Sequence, residues 1–225
     1  MTKKITLCDK SIIELDLSTP ELINHFNSPN NYTEAILNQF NNADYYKQFV
    51  SEKDKVILDL GANVGLFAIY AHPFAERILC VEPTPSHYNL LCQLTKDFEK
   101  IETFQCAVSP INGFIAFYTN ESSTTMNSLI NRGGSPIMVK GMTIPEIMKE
   151  RDISHVDFIK MDIEGSEDLV LNEKCLGFIY KNVPKILIEF HNNVVHEVEK
   201  HQKLFAQNGY RVDRFNWDAI ICEKI

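Results

Sequence analysis

The chain has 225 residues, which suits one domain of ordinary size with a modest attachment. Hydrophobic residues make up 44% of it, enough to build a core and to exclude a disordered chain. Thirty Asp and Glu against 22 Lys and Arg leave a net charge of −8, which argues against a phosphate-tracking groove and therefore against nucleic acid as a substrate.

Lys4 to Leu17 holds two short alternating runs around Asp9-Lys10 and predicts a small hairpin. Asn24 to Asn31, rich in Asn, Ser and Pro, reads as a loop. From Tyr32 to Val50 the apolar residues, among them Ile36, Phe40 and Phe49, fit one amphipathic helix or two short ones. The rhythm then changes. Val56-Ile57-Leu58-Asp59-Leu60 is almost wholly apolar, the mark of a strand buried on both faces. Ile78 to Val81 repeats it after a helical stretch from Leu66 to Phe74, and Thr103 to Val108 follows a helix from about Ser86 to Phe98. Phe114 to Tyr118 is strand-like, and the polar stretch Asn120 to Ser135 reads as a long loop. Val156 to Met161 and Lys185 to Phe190 are further buried strands, and Gly209 to Ile225 predicts a closing hairpin around Asn216-Trp217.

Strands alternating with helices call for an α/β fold: a doubly wound, mostly parallel sheet, here with a C-terminal antiparallel hairpin. The expected division is an N-terminal hairpin and helical attachment over residues 1–50 and a ligand-binding domain over residues 51–225. The six cysteines, Cys8, Cys80, Cys92, Cys106, Cys175 and Cys222, form no C-x-x-C pair and read as reduced core residues. His196 and His201 stand five apart, not the four a zinc-protease helix requires, and are expected to face solvent. No signal-peptide pattern and no run of the roughly 20 apolar residues that span a bilayer occurs, so a cytoplasmic location is expected.

The most informative segment is Asp59-Leu60-Gly61-Ala62-Asn63-Val64-Gly65, which leaves the first buried strand and opens a helix. Open α/β sheets bind ligands at the carboxyl ends of their strands, glycine lets the backbone approach a ligand, and a helix N-terminus offers free N–H groups. Glu82 follows Gly61 by twenty-one residues and closes the second strand, where an acid can accept hydrogen bonds from the ribose hydroxyls of an adenosine. The dinucleotide fingerprint G-x-G-x-x-G fails, because Asn63 and Leu66 stand at its second and third glycines. A plain strand-to-helix turn would explain Gly61 and Gly65 but not the acids at both strand ends.

That loop, together with Val81-Glu82-Pro83-Thr84-Pro85, Ala107-Val108-Ser109 and Phe158-Ile159-Lys160-Met161-Asp162-Ile163-Glu164-Gly165-Ser166-Glu167, resembles the FkbM family of class I methyltransferases over about Tyr32 to His191. The resemblance implies a Rossmann-like methyltransferase fold, S-adenosyl-L-methionine as cofactor, and methylation of hydroxyl groups on sugars or natural-product-like small molecules. It implies that Asp59, Gly61, Ala62, Asn63 and Gly65 hold the methionine part of the cofactor, that Glu82 takes the ribose, and that Cys106 and Ala107 lie near the adenine. Glu34 stands where the family commonly has a glutamate. The family's usual Thr-Leu-Asp is replaced here by Thr143-Ile144-Pro145.

A sulfonium methyl is already activated, so catalysis there rests on aligning an acceptor oxygen and removing its proton. Asp162 and Glu164 follow the fourth buried strand, and Glu189 and His191 end the fifth, so all four should open onto the same crevice as Gly61. His191 or Asp162 is expected as the base, with Glu164 positioning substrate or base. Carboxylates and imidazole at Asp162, Glu164 and His191 suit a divalent ion, but the site is read as metal-free. Ser123 to Ser128 is a candidate substrate lid. Two other functions share the fold: a nicotinamide-dependent oxidoreductase, which needs the missing fingerprint, and a non-catalytic module, which has no use for the crevice acids.

Overall fold

The computed structural model describes residues 2–27, 37–38, 41, 49–119 and 127–225. Strands β1 (Thr2–Thr6) and β2 (Ile12–Asp16) form the expected hairpin, followed by α1 (Pro20–Asn27). The loop expected from Asn24 is displaced by the last turn of α1, because Leu22 and Phe26, four residues apart, bury one face of that helix. Residues 28–31 lie outside the described residues, as do Glu34 and most of the segment 32–50.

The main sheet is built from β3 (Val56–Leu60), β4 (Arg77–Val81), β5 (Ile101–Phe104), β9 (Phe158–Met161), β10 (Lys185–Glu189), β11 (Tyr210–Arg214) and β12 (Ala219–Lys224). Their order is β11-β12-β10-β9-β3-β4-β5, with β10, β9, β3, β4 and β5 parallel and the β11–β12 hairpin antiparallel. The chain runs outward from β3 through β4 to β5, then returns to lay β9 and β10 on the other side of β3. That reversal opens a crevice at the carboxyl ends of β3 and β9, where such sheets bind ligands.

Strand alternation divides the core in two. Ile57, Ile78, Cys80, Phe158 and Leu187 pack with α1, α2 (Leu66–Ala71), α3 (Pro85–Thr95) and the β1–β2 hairpin on one face. Leu58, Leu60, Leu79, Val81, Ile159 and Ile186 pack on the other with α4 (Ile144–Glu150), α5 (Glu167–Val170), α6 (Glu173–Asn182) and α7 (Val194–Gln207). Helices on both faces make the sheet doubly wound, as expected.

One strand expectation is corrected, and one strand is added. Thr103 to Val108 is not one strand: β5 ends at Phe104, and β6 (Ala107–Val108) joins a separate three-stranded sheet with β8 (Ser135–Met142) and β7 (Gly113–Thr119). Strand β5 lies at the edge of the main sheet, so the chain can turn out there, and Ala107 and Val108 pair instead with Gly141 and Met142. The long loop therefore ends at Ser135, in an eight-residue strand that hydrogen-bonds along the whole of β7. All six cysteines are free, with Cys8, Cys80, Cys106 and Cys222 buried.

Candidate functional site

Register places the first charged group. Asp59 of β3 is paired with Cys80 of β4 and with Lys160 of β9, and paired positions on neighbouring strands share a face. Lys160 Nζ lies 3.7 Å from Asp59 Oδ1 and donates to Asp162 Oδ2 at 2.9 Å. The Asp59 side chain is fully buried, and neither of its oxygens accepts a hydrogen bond among the described residues. Burial pushes its pKa up to about 6; Lys160 pulls the other way, and Asp162 and Glu82 add to the push.

The turn after β3 is shaped by backbone contact. Gly61 adopts φ 81°, and a Cβ there would lie 1.7 Å from the carbonyl oxygen of Asp162, so the turns leaving β3 and β9 touch backbone to backbone. The N–H groups of Gly61 and Ala62 both donate to Val81 O at 3.0 Å. Asn63, at φ 51°, donates its N–H to Glu82 Oε2 at 2.9 Å, and the Thr84 N–H donates to Glu82 Oε1 at 2.9 Å. Glu82 thus locks the loops after β3 and β4 to each other. Each of its oxygens keeps a lone pair beyond its backbone bond. Burial raises its pKa, and the bonds to Thr84 and Asn63 hold that rise back. Asn63 Oδ1 is another buried acceptor with no hydrogen-bond partner among the described residues. Gly65, at φ 87°, caps α2, and Cys106 and Ala107 are buried just beyond β5. Burial pushes the Cys106 thiol up to about 12, which leaves it an apolar wall rather than a nucleophile.

A second cluster lies across the crevice. Strands β9 and β10 pair in parallel as far as Met161 and Ile188, so the residues that follow emerge side by side. His191 Nε2 lies 3.6 Å from Asp162 Oδ1, 3.7 Å from Glu189 Oε1 and 3.9 Å from Glu164 Oε2. Its Nδ1 donates to Glu167 Oε1 at 3.2 Å. The same Glu167 oxygen accepts the N–H of Ile163 at 3.1 Å and of Gly165 at 3.0 Å, so one buried carboxylate shapes the turn 162–167 and orients the imidazole. Arg132 Nη2 donates to His191 O at 3.0 Å from the opposite side.

These neighbours set the protonation of the cluster. Burial alone would lower the His191 pKa, but the bond to Glu167 and the charges of Asp162 and Glu164 outweigh it and lift the pKa to about 10. Burial would raise Asp162, yet Lys160 and His191 hold it below the usual carboxylate range. Burial and the charge of Asp162 push Glu164 up to about 8 and Glu189 up to about 7, against the pull of His191.

The expected residues therefore form two groups: Asp59, Gly61, Ala62, Asn63, Gly65 and Glu82 around the turns of β3 and β4, with Cys106 and Ala107 beyond β5, and Asp162, Glu164, Glu189 and His191 at the ends of β9 and β10. Lys160, which joins the groups, and Glu167, which organises the second, had no role in the sequence reading. Lys160 is visible in the sequence as a charge inside a buried strand, whereas nothing local to Glu167 marks its contact with His191. Of the expected lid, residues 123–126 lie outside the described residues. Its last two residues reach both groups: Asn127 Nδ2 donates to Thr84 Oγ1 at 3.2 Å, and Ser128 Oγ lies 3.0 Å from Ser166 Oγ. His196 is exposed as expected, but His201 is not. It is fully buried on α7, shares a hydrogen bond of 2.8 Å with Asp168 Oδ1 and stacks on Phe190. A five-residue spacing turns the two imidazoles to different sides of the helix, and one of those sides faces the core.

The family model described as the methyltransferase FkbM domain matches residues 59–212, from Asp59 into β11, and so includes both groups. A solved FkbM methyltransferase from Methylobacillus flagellatus KT is similar at 17% identity and TM-score 0.53, over 80% of this chain and 46% of that one. The chain thus spans just under half of that protein's length. An rRNA methylase from Streptococcus thermophilus is similar at 8% identity and TM-score 0.50, over 83% of this chain and 96% of that one. Both are likenesses of fold. No curated protein matches the chain.

Proposed function

The chain belongs to the FkbM methyltransferase family, and from that premise we propose that it transfers a methyl group from S-adenosyl-L-methionine to a hydroxyl oxygen of a sugar or a natural-product-like small molecule. The observation that carries this reading is the pair of loops joined by Glu82 beside the buried Asp59, whose oxygens accept no hydrogen bond among the described residues. The donor set fits the cofactor. Asp59 has two unsatisfied oxygens and one lysine at 3.7 Å, and suits the cofactor's ammonium. The free lone pairs of Glu82 suit ribose hydroxyls, and Gly61 and Gly65 leave the turn without side chains. Cys106 and Ala107 would wall the adenine.

When bound, the cofactor would supply a methyl activated on a sulfonium, leaving as the neutral thioether, and the acceptor hydroxyl would give its proton to a base. The chain's own residues must orient the acceptor oxygen and take that proton. His191 is held protonated near neutrality and Asp162 is held ionised by Lys160, so neither is tuned to accept a proton there. Glu189, raised to about 7, matches the working pH and stands beside both, and it is our choice of base. Glu164 and Asp162 then position the acceptor.

Transfer of labelled methyl from the cofactor into a panel of glycans and natural products, read by mass spectrometry, tests this reading. Mass gain at a hydroxyl supports it. Binding of S-adenosylhomocysteine with no transfer across the panel would leave a binding module instead.

A further inference from the structure

Asp162, Glu164 and His191 each offer one ligand atom, and among the described residues theirs is the group of three whose ligand atoms all lie within 4.8 Å of one another. Donors spread tetrahedrally around a divalent ion at about 2.1 Å stand about 3.4 Å apart, and cis donors of an octahedron about 3.0 Å apart. The distances of 3.6 Å from His191 Nε2 to Asp162 Oδ1 and 3.9 Å to Glu164 Oε2 exceed those spacings by less than an ångström. Small side-chain rotations would close the gap.

Two separate observations point to a ligand at this spot. Asp162 Oδ1, the oxygen facing His191 Nε2, is shielded from solvent and accepts no hydrogen bond among the described residues, although the other oxygen of the same carboxylate is held by Lys160. The imidazole is also pre-oriented as a metal ligand's usually is: its far nitrogen donates to the fully buried Glu167, which fixes the ring and leaves Nε2 facing the carboxylates.

We propose that Asp162, Glu164 and His191 bind one divalent cation of mixed nitrogen and oxygen preference, which takes the place of the proton on His191 Nε2 and releases it to solvent, with Glu167 as the outer carboxylate that orients His191. One imidazole with two carboxylates suits Mn2+ or Zn2+ better than Ca2+, which takes oxygen ligands alone. Three protein ligands leave coordination positions open toward the crevice. Glu189, 3.7 Å from Nε2 and outside the triad, stays available as a base. The use of the ion rests on the methyltransferase reading: an acceptor hydroxyl on an open position loses its proton more readily. The binding of the ion does not rest on it.

The test is a titration of Mn2+ alone into the purified chain, read by loss of the free-ion electron paramagnetic resonance signal and by the melting temperature. One ion per chain and a rise in Tm are expected. His191→Gln and Glu164→Gln should each weaken binding at least tenfold, and Glu167→Gln about 10- to 100-fold. Glu146→Gln on the exposed side of α4 should change nothing. If His191→Gln does not fold, the Glu164 and Glu167 variants report the same loss. No binding at millimolar Mn2+, or binding unchanged in Glu164→Gln and Glu167→Gln, overturns the proposal. A parallel titration of S-adenosylhomocysteine in chelator separates the two readings. Nucleoside binding without Mn2+ binding removes the ion and keeps the methyltransferase; Mn2+ binding without nucleoside binding does the reverse.

Discussion

At residue 61 the fold and the site make the same demand. A methyl group at this position meets the Asp162 carbonyl at 1.7 Å, and φ 81° is strained for any side chain. Gly61→Ala should therefore cost more than about 2 kcal/mol, read as a lower urea midpoint. Gly177, in the middle of α6 with open space where its Cβ would go, is the contrasting case: Gly177→Ala should add about 0.5–1 kcal/mol. Across the crevice, Glu189→Gln should lower kcat by about 10²–10⁴ while leaving S-adenosylhomocysteine affinity within about threefold, because an amide keeps the shape but accepts no proton. Equal loss of both would make Glu189 a binding residue. The residues of the glycine turn were legible in the sequence because backbone approach and spaced acids are written locally. Glu167 was not, since its role depends on His191, 24 residues further on and reached only through the β9–β10 pairing.

Among the elements, β10 shows how a strand is tied to the chain that precedes the sheet. The Lys185 ammonium, at the start of this strand, is buried against Asp54, accepts a place 4.5 Å over the Phe158 ring and donates to Phe49 O at 2.7 Å. Asp54→Ala would remove the carboxylate that faces that buried ammonium among the described residues, so a loss of about 3–5 kcal/mol is expected, with a matching fall in Tm. Asp54→Asn should cost less, since the amide oxygen still accepts. A fall below about 1 kcal/mol for the alanine variant would mean that water reaches the ammonium. The buried parallel strands were readable because double-faced burial makes them apolar runs. Strand β8 was not, because Pro136 and Gly141 interrupt its short apolar run, which gains strand geometry from pairing with β7 and β6. The same non-local pairing draws Ala107 and Val108 away from β5.

Over the whole molecule, the two helical layers and the N-terminal hairpin close around one sheet, and that closure buries imidazoles. His87 on α3 and His25 on α1 lie 5.9 Å apart between ring centres, and burial lowers each pKa to about 4, with the charge of His87 adding to the effect on His25. Between pH 6.5 and 4 the unfolded chain therefore binds protons that the folded chain refuses. Stability from this source is complete above the unfolded pKa and falls as pH drops, by about 2 kcal/mol at pH 5 for His87 alone. Urea unfolding at pH 7, 6 and 5 should show that slope, and His87→Leu should flatten it by close to one proton; an unchanged slope would mean that His87 titrates normally. The doubly wound architecture was legible from the order of strands and helices alone, whereas the meeting of α1 with α3 belongs to tertiary packing that no local pattern encodes. One calorimetric titration, of S-adenosylhomocysteine into the wild-type chain and into Glu82→Ala, tests the nucleoside site most directly. Saturable binding at one site is expected in the wild type and at least a tenfold weaker Kd in the folded variant; an absence of heat in the wild type, or equal affinity in both, would contradict the assignment of Glu82 to the ribose.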